Sequence, residues 1–324
     1  GGGGCAVPGV GGGAARSGGG PERQVGQRAV NLPGRLTLPR EVLRIAEALE
    51  AAGYETWCVG GAIRDTLLQV PDQDFDLATA ARPADVQRVF PRTVPVGIEH
   101  GTVAVLDRHR KPHEVTTFRK DVRTDGRHAE VEFGVSLQDD LARRDFTINA
   151  IAYHPLRHEW RDPFDGAGDL DRRTIRAVGD PNWRFQEDYL RILRALRFSA
   201  RFDFRVQGRT LEAAKANVQG LARLSAERVR DEWFKGIRTA RRVSRLVQLW
   251  REVGAARIWL PETVGRRDQE DARRDERAVD RLPRDPVLVT AFLASDAASL
   301  LTRLKCAARD IERGRAVRDW RERL

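Results

Sequence analysis

From Leu36 to Ala52, apolar side chains recur at helical spacing at Val42, Ile45, Ala46 and Leu49, and Gly53 closes the run. A short strand is predicted over Thr56–Val59, running into Gly60-Gly61. A helix from Ala62 to Gln69 and a turn at Pro71-Asp72-Gln73 follow. Phe75 and Leu77 alternate with Asp74 and Asp76, the period of two that marks a strand. Pro83 opens a further helix reaching Phe90. Gly101–Asp107 and Glu114–Phe118 read as two strands joined by a polar turn at Arg108–His113.

From Leu137 onward the periodicity turns helical. Leu141–Tyr153 precedes a loop of Asp, Gly and Pro at Arg161–Gly168, and helices are expected over Asp188–Phe202, Thr210–Val218, Ala226–Thr239 and Val243–Val253. A charged stretch at Gly265–Arg284 reads as a solvated linker or exposed helix, after which Pro286–Leu304 returns to an apolar helical pattern. The expected organisation is a tail over 1–30, an α/β head over 31–160, a helical neck over 161–262 and a partial helical body or tail over 263–324.

At 324 residues the chain is long enough for two or three domains, and no apolar run approaches the length that crosses a bilayer. Gly1–Gly20 is mostly Gly and Ala, lacks the apolar core of a signal peptide and reads as a flexible tail. With no Met, even at position 1, the chain reads as a fragment or a processed form. Cys5, Cys58 and Cys306 are odd in number and lack CxxC spacing, which argues against a disulfide framework or zinc site and fits a cytoplasmic protein.

The net charge is +10 and is carried by arginine, the lysines being only Lys111, Lys120, Lys215, Lys235 and Lys305. Arginine forks suit phosphate and base edges, so a polyanionic partner is one reading; substitution of Arg for Lys in a GC-rich genome is the other.

The densest chemical signal is Val59-Gly60-Gly61-Ala62-Ile63-Arg64-Asp65 followed by Asp74-Phe75-Asp76. Two glycines between strand and helix let a backbone approach a phosphate, and Arg64, one turn on, can reach the same group. Asp74 and Asp76, two apart on a strand, are expected to point to one face. Paired carboxylates beside a phosphate cradle suit Mg²⁺, which binds through oxygen ligands and substrate phosphates. Alone, a Gly-Gly pair is a turn and a DxD a solvated strand edge; their combination in strand–helix–strand order favours the catalytic reading. Glu114 is either a third carboxylate of this site or an exposed strand residue.

In Arg143-Arg144-Asp145-Phe146-Thr147-Ile148-Asn149-Ala150, Arg144 is suited to phosphate or sugar. Asp145 and Asn149 lie four apart on a predicted helix face, suited to each other or to a ribose hydroxyl; a helix start charged by Asp145 is the alternative. In Glu187-Asp188-Tyr189-Leu190-Arg191-Ile192-Leu193-Arg194-Ala195-Leu196-Arg197-Phe198, the leucines supply a buried face, and Asp188 and Arg191 are expected to be helix neighbours. They form either a surface ion pair or a base reader. Cytosine and adenine both present an amino donor beside a ring-nitrogen acceptor, matching an Asp acceptor and an Arg donor, whereas guanine and uracil invert that order.

At these motifs the chain resembles the class II tRNA nucleotidyltransferases, the family of bacterial CCA-adding enzymes and poly(A) polymerases. The resemblance runs from about Leu36 to Pro261 and includes GGAxRD with DxD, RRDFTINA, Asp165-Gly166-Ala167-Gly168-Asp169-Leu170, EDxLRxLRAxRF and Glu227-Arg228-Val229-Arg230-Asp231-Glu232. It implies an α+β fold: a polymerase beta-like head with a mixed or antiparallel sheet, followed by an all-helical neck and body. It further implies that Asp74 and Asp76 hold Mg²⁺, that Gly61 and Arg64 touch the nucleotide, and that Arg144, Asp188, Arg191, Arg194 and Arg197 contact incoming CTP or ATP. The body would grip the tRNA acceptor arm, with no DNA, membrane or obligate protein partner.

Family members usually carry a longer body and tail. Relatives that add only CC, only A or poly(A) share these motifs; CC-adding members have a shortened loop between the head motifs, whereas Lys120–Glu130 looks near full length, which favours completing the A. A non-catalytic RNA-binding relative is the reading from another class, and the intact Asp74/Asp76 pair argues against it. A dinucleotide-dependent oxidoreductase is disfavoured because Arg64 stands where a GxGxxG fingerprint needs Gly.

Overall fold

The computed structural model describes residues 1–2, 32–71, 74–124, 129–264 and 278–321. The expected tail over 1–30 and the turn residues 72–73 therefore lie largely or wholly outside the described residues, as does 265–277 of the charged stretch 265–284, whose described end is a 3₁₀ turn at Val279–Arg281 with Val279 buried, not a solvated linker.

A seven-stranded sheet forms the head. Its strands are β1 (Thr56–Val59), β2 (Asp76–Thr79), β3 (Thr93–Gly97), β4 (Thr102–Leu106), β5 (Pro112–Thr117), β8 (Ala152–Tyr153) and β9 (Trp160–Arg161), in the order β3-β4-β5-β2-β1-β8-β9. β2 and β5 run parallel and every other named pair of this sheet is antiparallel, so the sheet is mixed. β1 is buried on both faces: Cys58 enters the main core with Leu77 and Val115, while Trp57 and Val59 pack behind the sheet with Ala78, Phe118 and Leu141. That split follows from alternation of side chains along a strand.

Helix α1 (Arg40–Ala51) buries Val42, Ile45, Ala46 and Leu49, as its spacing predicts. It starts four residues later than expected. Pro39 caps it and disfavours helical geometry at Leu38, so Leu36 and Leu38 stay extended and buried. Helices α2 (Gly61–Leu67) and α3 (Pro83–Val89) flank β2, as expected.

The region from Leu137 departs from the helical expectation. α4 (Leu137–Ala142) ends early, Thr147–Asn149 is a single 3₁₀ turn, and β8 and β9 extend the sheet. The apolar run Phe146–Tyr153 is buried because it crosses the core, and burial from all sides erases the strand period. The stretch Lys120–Glu130, read as a loop, belongs to a hairpin of β6 (Arg119–Thr124) and β7 (Ala129–Phe133), whose tip at 125–128 is outside the described residues.

The helical part comprises α5 (Gly166–Asp171), α6 (Pro181–Glu187), α7 (Leu190–Phe202), α8 (Gly208–Ala216), α9 (Ala226–Thr239), α10 (Val243–Val253) and α11 (Ala255–Trp259). The strands β10 (Thr174–Ile175) and β11 (Arg205–Val206) pair in parallel beside it. Gly166 is required where it stands, because a Cβ there would meet the Thr147 carbonyl oxygen at 2.2 Å. The expected helix Pro286–Leu304 is two, α12 (Pro286–Leu293) and α13 (Ala297–Arg303), since Asp296 accepts from Ser299 N at 3.0 Å and starts a new helix. A last helix, α14 (Ala308–Arg321), follows. Trp233 of α9 meets Trp250 edge-on at 4.9 Å between centroids and donates to Thr290 Oγ1 at 2.9 Å, tying this group together. Among the described residues no helix is long and apolar enough to cross a membrane.

Candidate nucleotide-binding cleft

A cleft of about 650 Å³ opens between the sheet and the helices α7 and α9. Ten arginine and lysine residues line it against four carboxylates, so it is built for an anion. Gly60, Gly61, Arg64, Asp76, Glu114, Arg144, Asp145, Asn149, Asp188, Arg191, Arg194 and Arg197 all reach its wall. Of the residues singled out in the sequence, Asp74 alone does not.

Asp76 lies opposite Val59 in the β1–β2 register, one residue before the glycine corner. Leu77 pairs with Val115 across the parallel β2–β5 seam, so Asp76 and Glu114, one step earlier on each strand, stand side by side. Both turn away from the core that holds Leu77 and Val115. Asp76 is open to the cleft but enclosed by its walls; burial first, then the Glu114 charge, push its carboxyl up to about 6. Burial in the main core, then the Asp76 charge, push the Cys58 thiol up to about 12, leaving it inert.

The expected alternation holds in burial, with Asp74 and Asp76 exposed and Phe75 and Leu77 buried, and the Asp74 charge acts on Asp76, but Asp74 lies outside the ladder. β2 begins only at Asp76, so Asp74 precedes the pleat, 85% exposed, with Lys111 Nζ of the β4–β5 turn 2.8 Å from its carboxylate. The Lys111 hydrogen bond and charge hold the Asp74 carboxyl below its usual range. Among the described residues, no three His, Cys, Asp or Glu side chains gather as a metal cluster. The oxygen donors Asp76 and Glu114 nevertheless fit a hard divalent cation of the kind that completes its shell with water and phosphate.

Gly60 adopts φ +75°, ψ −135°, a conformation that favours glycine, and a Cβ there would lie 2.9 Å from the movable tip of Arg144, Nη1. Arg64 is buried on the cleft floor. Its Nε donates to Asp65 at 2.7 Å and its Nη1 to Asn149 Oδ1 at 2.5 Å, with Phe198 and Phe202 on its planar faces at 5.0 and 4.8 Å. Burial lowers its pKa, with Asp65 opposing.

The Asp145/Asn149 pair exists, though not on the expected helix. Across the 3₁₀ turn, Asn149 Nδ2 donates to Asp145 Oδ1 at 2.8 Å. Asp145 also accepts from Phe146 N at 2.8 Å and from Arg194 Nε at 2.7 Å. Burial alone would raise its carboxyl, but Arg194 and Asn149 prevail and hold it at about 2. Arg144 donates to Asp140 Oδ2 at 2.9 Å and, at 3.4 Å, to the Asn149 carbonyl, while its buried Nε has no partner.

Asp188 and Arg191 also depart from expectation. Asp188 is extended (φ −154°, ψ 106°) between α6 and α7, so the two are not helix neighbours. Asp188 Oδ1 accepts from Leu190 N at 3.0 Å and Oδ2 from Arg228 Nη2 at 2.8 Å. Arg191 instead donates to Glu187 at 2.5 Å and to the Arg143 carbonyl at 3.1 Å. Both remain in the cleft wall. Arg197 is 2% exposed and bound to Glu232 at 2.6 Å, so it braces the cleft wall, whose surface it only just reaches.

Sequence reasoning missed Arg228 and Lys235, which line the cleft, and Glu232, which holds Arg197 in its wall. Their spacing on α9, four and then three apart, was the available signal: it puts all three on one stripe facing α7. Burial, then Arg197, push the Lys235 ammonium down.

A mixed sheet with a glycine corner beside two carboxylates, closed by an arginine-rich helical wall, defines a nucleotidyltransferase head. Residues 56–176 match the poly A polymerase head domain, and 203–265 match the probable RNA- and SrmB-binding site of polymerase A. The Bacillus stearothermophilus CCA-adding enzyme in complex with CTP superposes with TM-score 0.75 at 34% identity, over 89% of this chain and 71% of that one. The chain belongs to the CCA-adding enzyme family.

The CCA-adding enzyme of Streptococcus suis is 41% identical over 252 residues, 75% of this chain and 59% of its own length. That of Ligilactobacillus salivarius is 45% identical over 201 residues, 60% of this chain and 48% of its own. The chain thus spans about half the length of the curated relatives it matches. The Thermotoga maritima enzyme complexed with tRNA shares the fold, with TM-score 0.66 at 21% identity.

Proposed function

We propose that this chain transfers CMP and AMP from CTP and ATP to the 3′ end of tRNA without a nucleic-acid template, releasing pyrophosphate. The observation that carries the reading is Asp76 beside Glu114 at the Gly60-Gly61 corner, facing a cationic wall that ends in Asp188 and Arg191. The CTP complex of the Bacillus stearothermophilus relative supports it.

In this reading the head over 31–160 carries the transfer, the neck over 161–262 selects the nucleotide and the body over 263–324 helps hold the tRNA. Mg²⁺ would be held by Asp76 with Glu114, and by Asp74 once that residue leaves Lys111; it would polarise the phosphates and the attacking hydroxyl. Gly60 and Gly61 let the triphosphate approach the backbone, and Arg144 neutralises its charge. Arg64 fixes the floor, and Asp145 with Asn149 offers polar groups to the ribose. Arg194 holds Asp145 ionised, Arg197 braces α7 against α9, and Asp188 and Arg191 read the amino group and ring nitrogen of the base. A tRNA substrate fits a cytoplasmic activity.

The test is to incubate the full chain with Mg²⁺, CTP, ATP and tRNA ending before C, CC or CCA, and to sequence the products. Completion of CCA on each truncated end supports the reading. Addition limited to CC, to A or to long adenosine tails reassigns the activity within the family, and no nucleotide incorporation at all refutes it.

A further inference from the structure

We propose that the apolar edge of the head sheet, at Val94, Val96 and Ile98, seats the last nucleosides of the RNA 3′ end, on the side from which the terminal hydroxyl attacks. This rests on the transfer reading given above.

Val94, Val96 and Ile98 are 44%, 54% and 42% exposed, three of the five large apolar side chains that stand this open among the described residues. A cluster of exposed apolar side chains marks a contact surface. The register places two of them on the catalytic face. Asp76 and Glu114 stand side by side, Glu114 pairs with Ala104 on β4, and Ala104 pairs with Val94 on β3. Residues directly opposite across an antiparallel pair share a face, so Val94 continues the carboxylate row. Val96, two residues on, returns to that face by alternation, where the register shifts between Pro95 and Gly97. Neighbouring strands lie about 4.8 Å apart, so Val94 stands about 10 Å beyond Glu114, roughly the rise of three stacked bases.

Phosphoryl transfer runs in line: the 3′ oxygen, giving up its proton, bonds to the α-phosphorus as the bond to the pyrophosphate oxygen breaks on the opposite side. The strand order sets that direction. The Gly60-Gly61 corner, which takes the triphosphate, follows β1; the carboxylates sit on β2 and β5; β4 and β3 come next on the far side. The attacking strand therefore arrives over β4 and β3. Chemistry changes along the same path. Thr102 and Thr116, whose hydroxyls meet at 3.0 Å, line the cleft beside the carboxylates and suit ribose hydroxyls. Arg119, bound to the His100 carbonyl, supplies a cation for the RNA backbone. The shelf itself is uncharged, which suits sugar and base faces, while the triphosphate belongs with the arginine wall. A second copy of the chain is the other occupant an open strand invites, but Pro95 has no N–H to offer and blunts this edge against pairing.

The experiment measures CMP incorporation into tRNA lacking its 3′ CCA by the full chain, the double variant Val94→Asp/Val96→Asp and the double variant Val94→Thr/Val96→Thr. It also compares binding of that tRNA with binding of tRNA trimmed to its paired acceptor stem. The aspartates should raise KM for tRNA by at least about tenfold, because like charge then faces the RNA, with KM for CTP and the melting temperature unchanged. The trimmed tRNA, which has no nucleosides to lay on the shelf, should bind all three proteins alike. Should the aspartate variant fail to fold, the threonine variant is read instead, with a roughly threefold rise from lost apolar contact. An unchanged KM for tRNA in every folded variant overturns the inference and leaves the transfer reading standing. Equal weakening for trimmed tRNA overturns it too, as does loss of self-association with KM unchanged, which gives the shelf to a second copy. No incorporation by the unaltered chain refutes the transfer reading and this inference with it.

Discussion

Asn149 donates to Asp145 at 2.8 Å while accepting from Arg64 at 2.5 Å, so one buried amide joins the glycine-corner helix to the arginine wall of α7 through Arg194. Each group in this chain is buried or half-buried, and an amide is the side chain that can donate in one direction and accept in the other. Asn149→Leu leaves Arg64 and Asp145 each short of a partner. A loss of about 1–3 kcal/mol of stability is expected in denaturant titration, together with at least a roughly tenfold fall in nucleotide incorporation through displaced arginines. A variant with wild-type stability and activity would remove Asn149 from the account.

The Gly60 backbone is an independent test of the corner. At φ +75° and ψ −135°, with Arg144 Nη1 2.9 Å from where a Cβ would sit, Gly60→Ala carries backbone strain and displaces the tip of Arg144. A cost of about 1–3 kcal/mol is expected, along with weaker CTP binding in calorimetry because Arg144 must move. Unchanged CTP affinity would show that the corner tolerates a side chain.

The Arg197–Glu232 pair is buried on both sides, at 2% and 10% exposure. Removing Arg197 alone, as Arg197→Met, strands the Glu232 charge and should cost about 3–5 kcal/mol. Arg197→Met combined with Glu232→Leu should cost less than the two single changes summed, as read by urea unfolding in a double-mutant cycle. Strict additivity would contradict the pairing.

Asp76 gives the pH dependence. Burial and the neighbouring Glu114 raise its carboxyl from the ordinary 3.8 to about 6, so the fold favours the protonated form. Its contribution to stability is therefore present at low pH and fades as pH rises through about 6. Cation binding, which needs the ionised form, runs the other way and should strengthen across about pH 5 to 7. Glu114→Gln should move that midpoint downward. Mg²⁺ or Mn²⁺ titrations of the isolated chain at a series of pH values check the direction; affinity independent of pH would contradict it.

Much of this was legible in the sequence because it rests on local rules. The buried positions of α1, the bounds of β1, α9 and α10, and the approach of Asp76 to Gly60 follow from periodicity and turn chemistry over a few residues. What failed depends on distant groups. The exposed side shared by Asp74 and Asp76 was legible, but not that the ladder begins only at Asp76 or that Lys111 pairs with Asp74. Asp188 and Arg191 have helical spacing, yet Asp188 is extended ahead of α7, and its side chain is held by Arg228, 40 residues on. Phe146–Tyr153 carries no strand signature because it is buried from all sides.

The central claim is tested most directly by single-turnover addition of CMP to tRNA lacking its 3′ end, comparing the unaltered chain with Asp76→Asn in Mg²⁺. The account predicts labelled product and stoichiometric pyrophosphate from the first, and a loss of at least about a thousandfold from the second, whose fold and CTP binding persist. Undiminished addition by Asp76→Asn would contradict it.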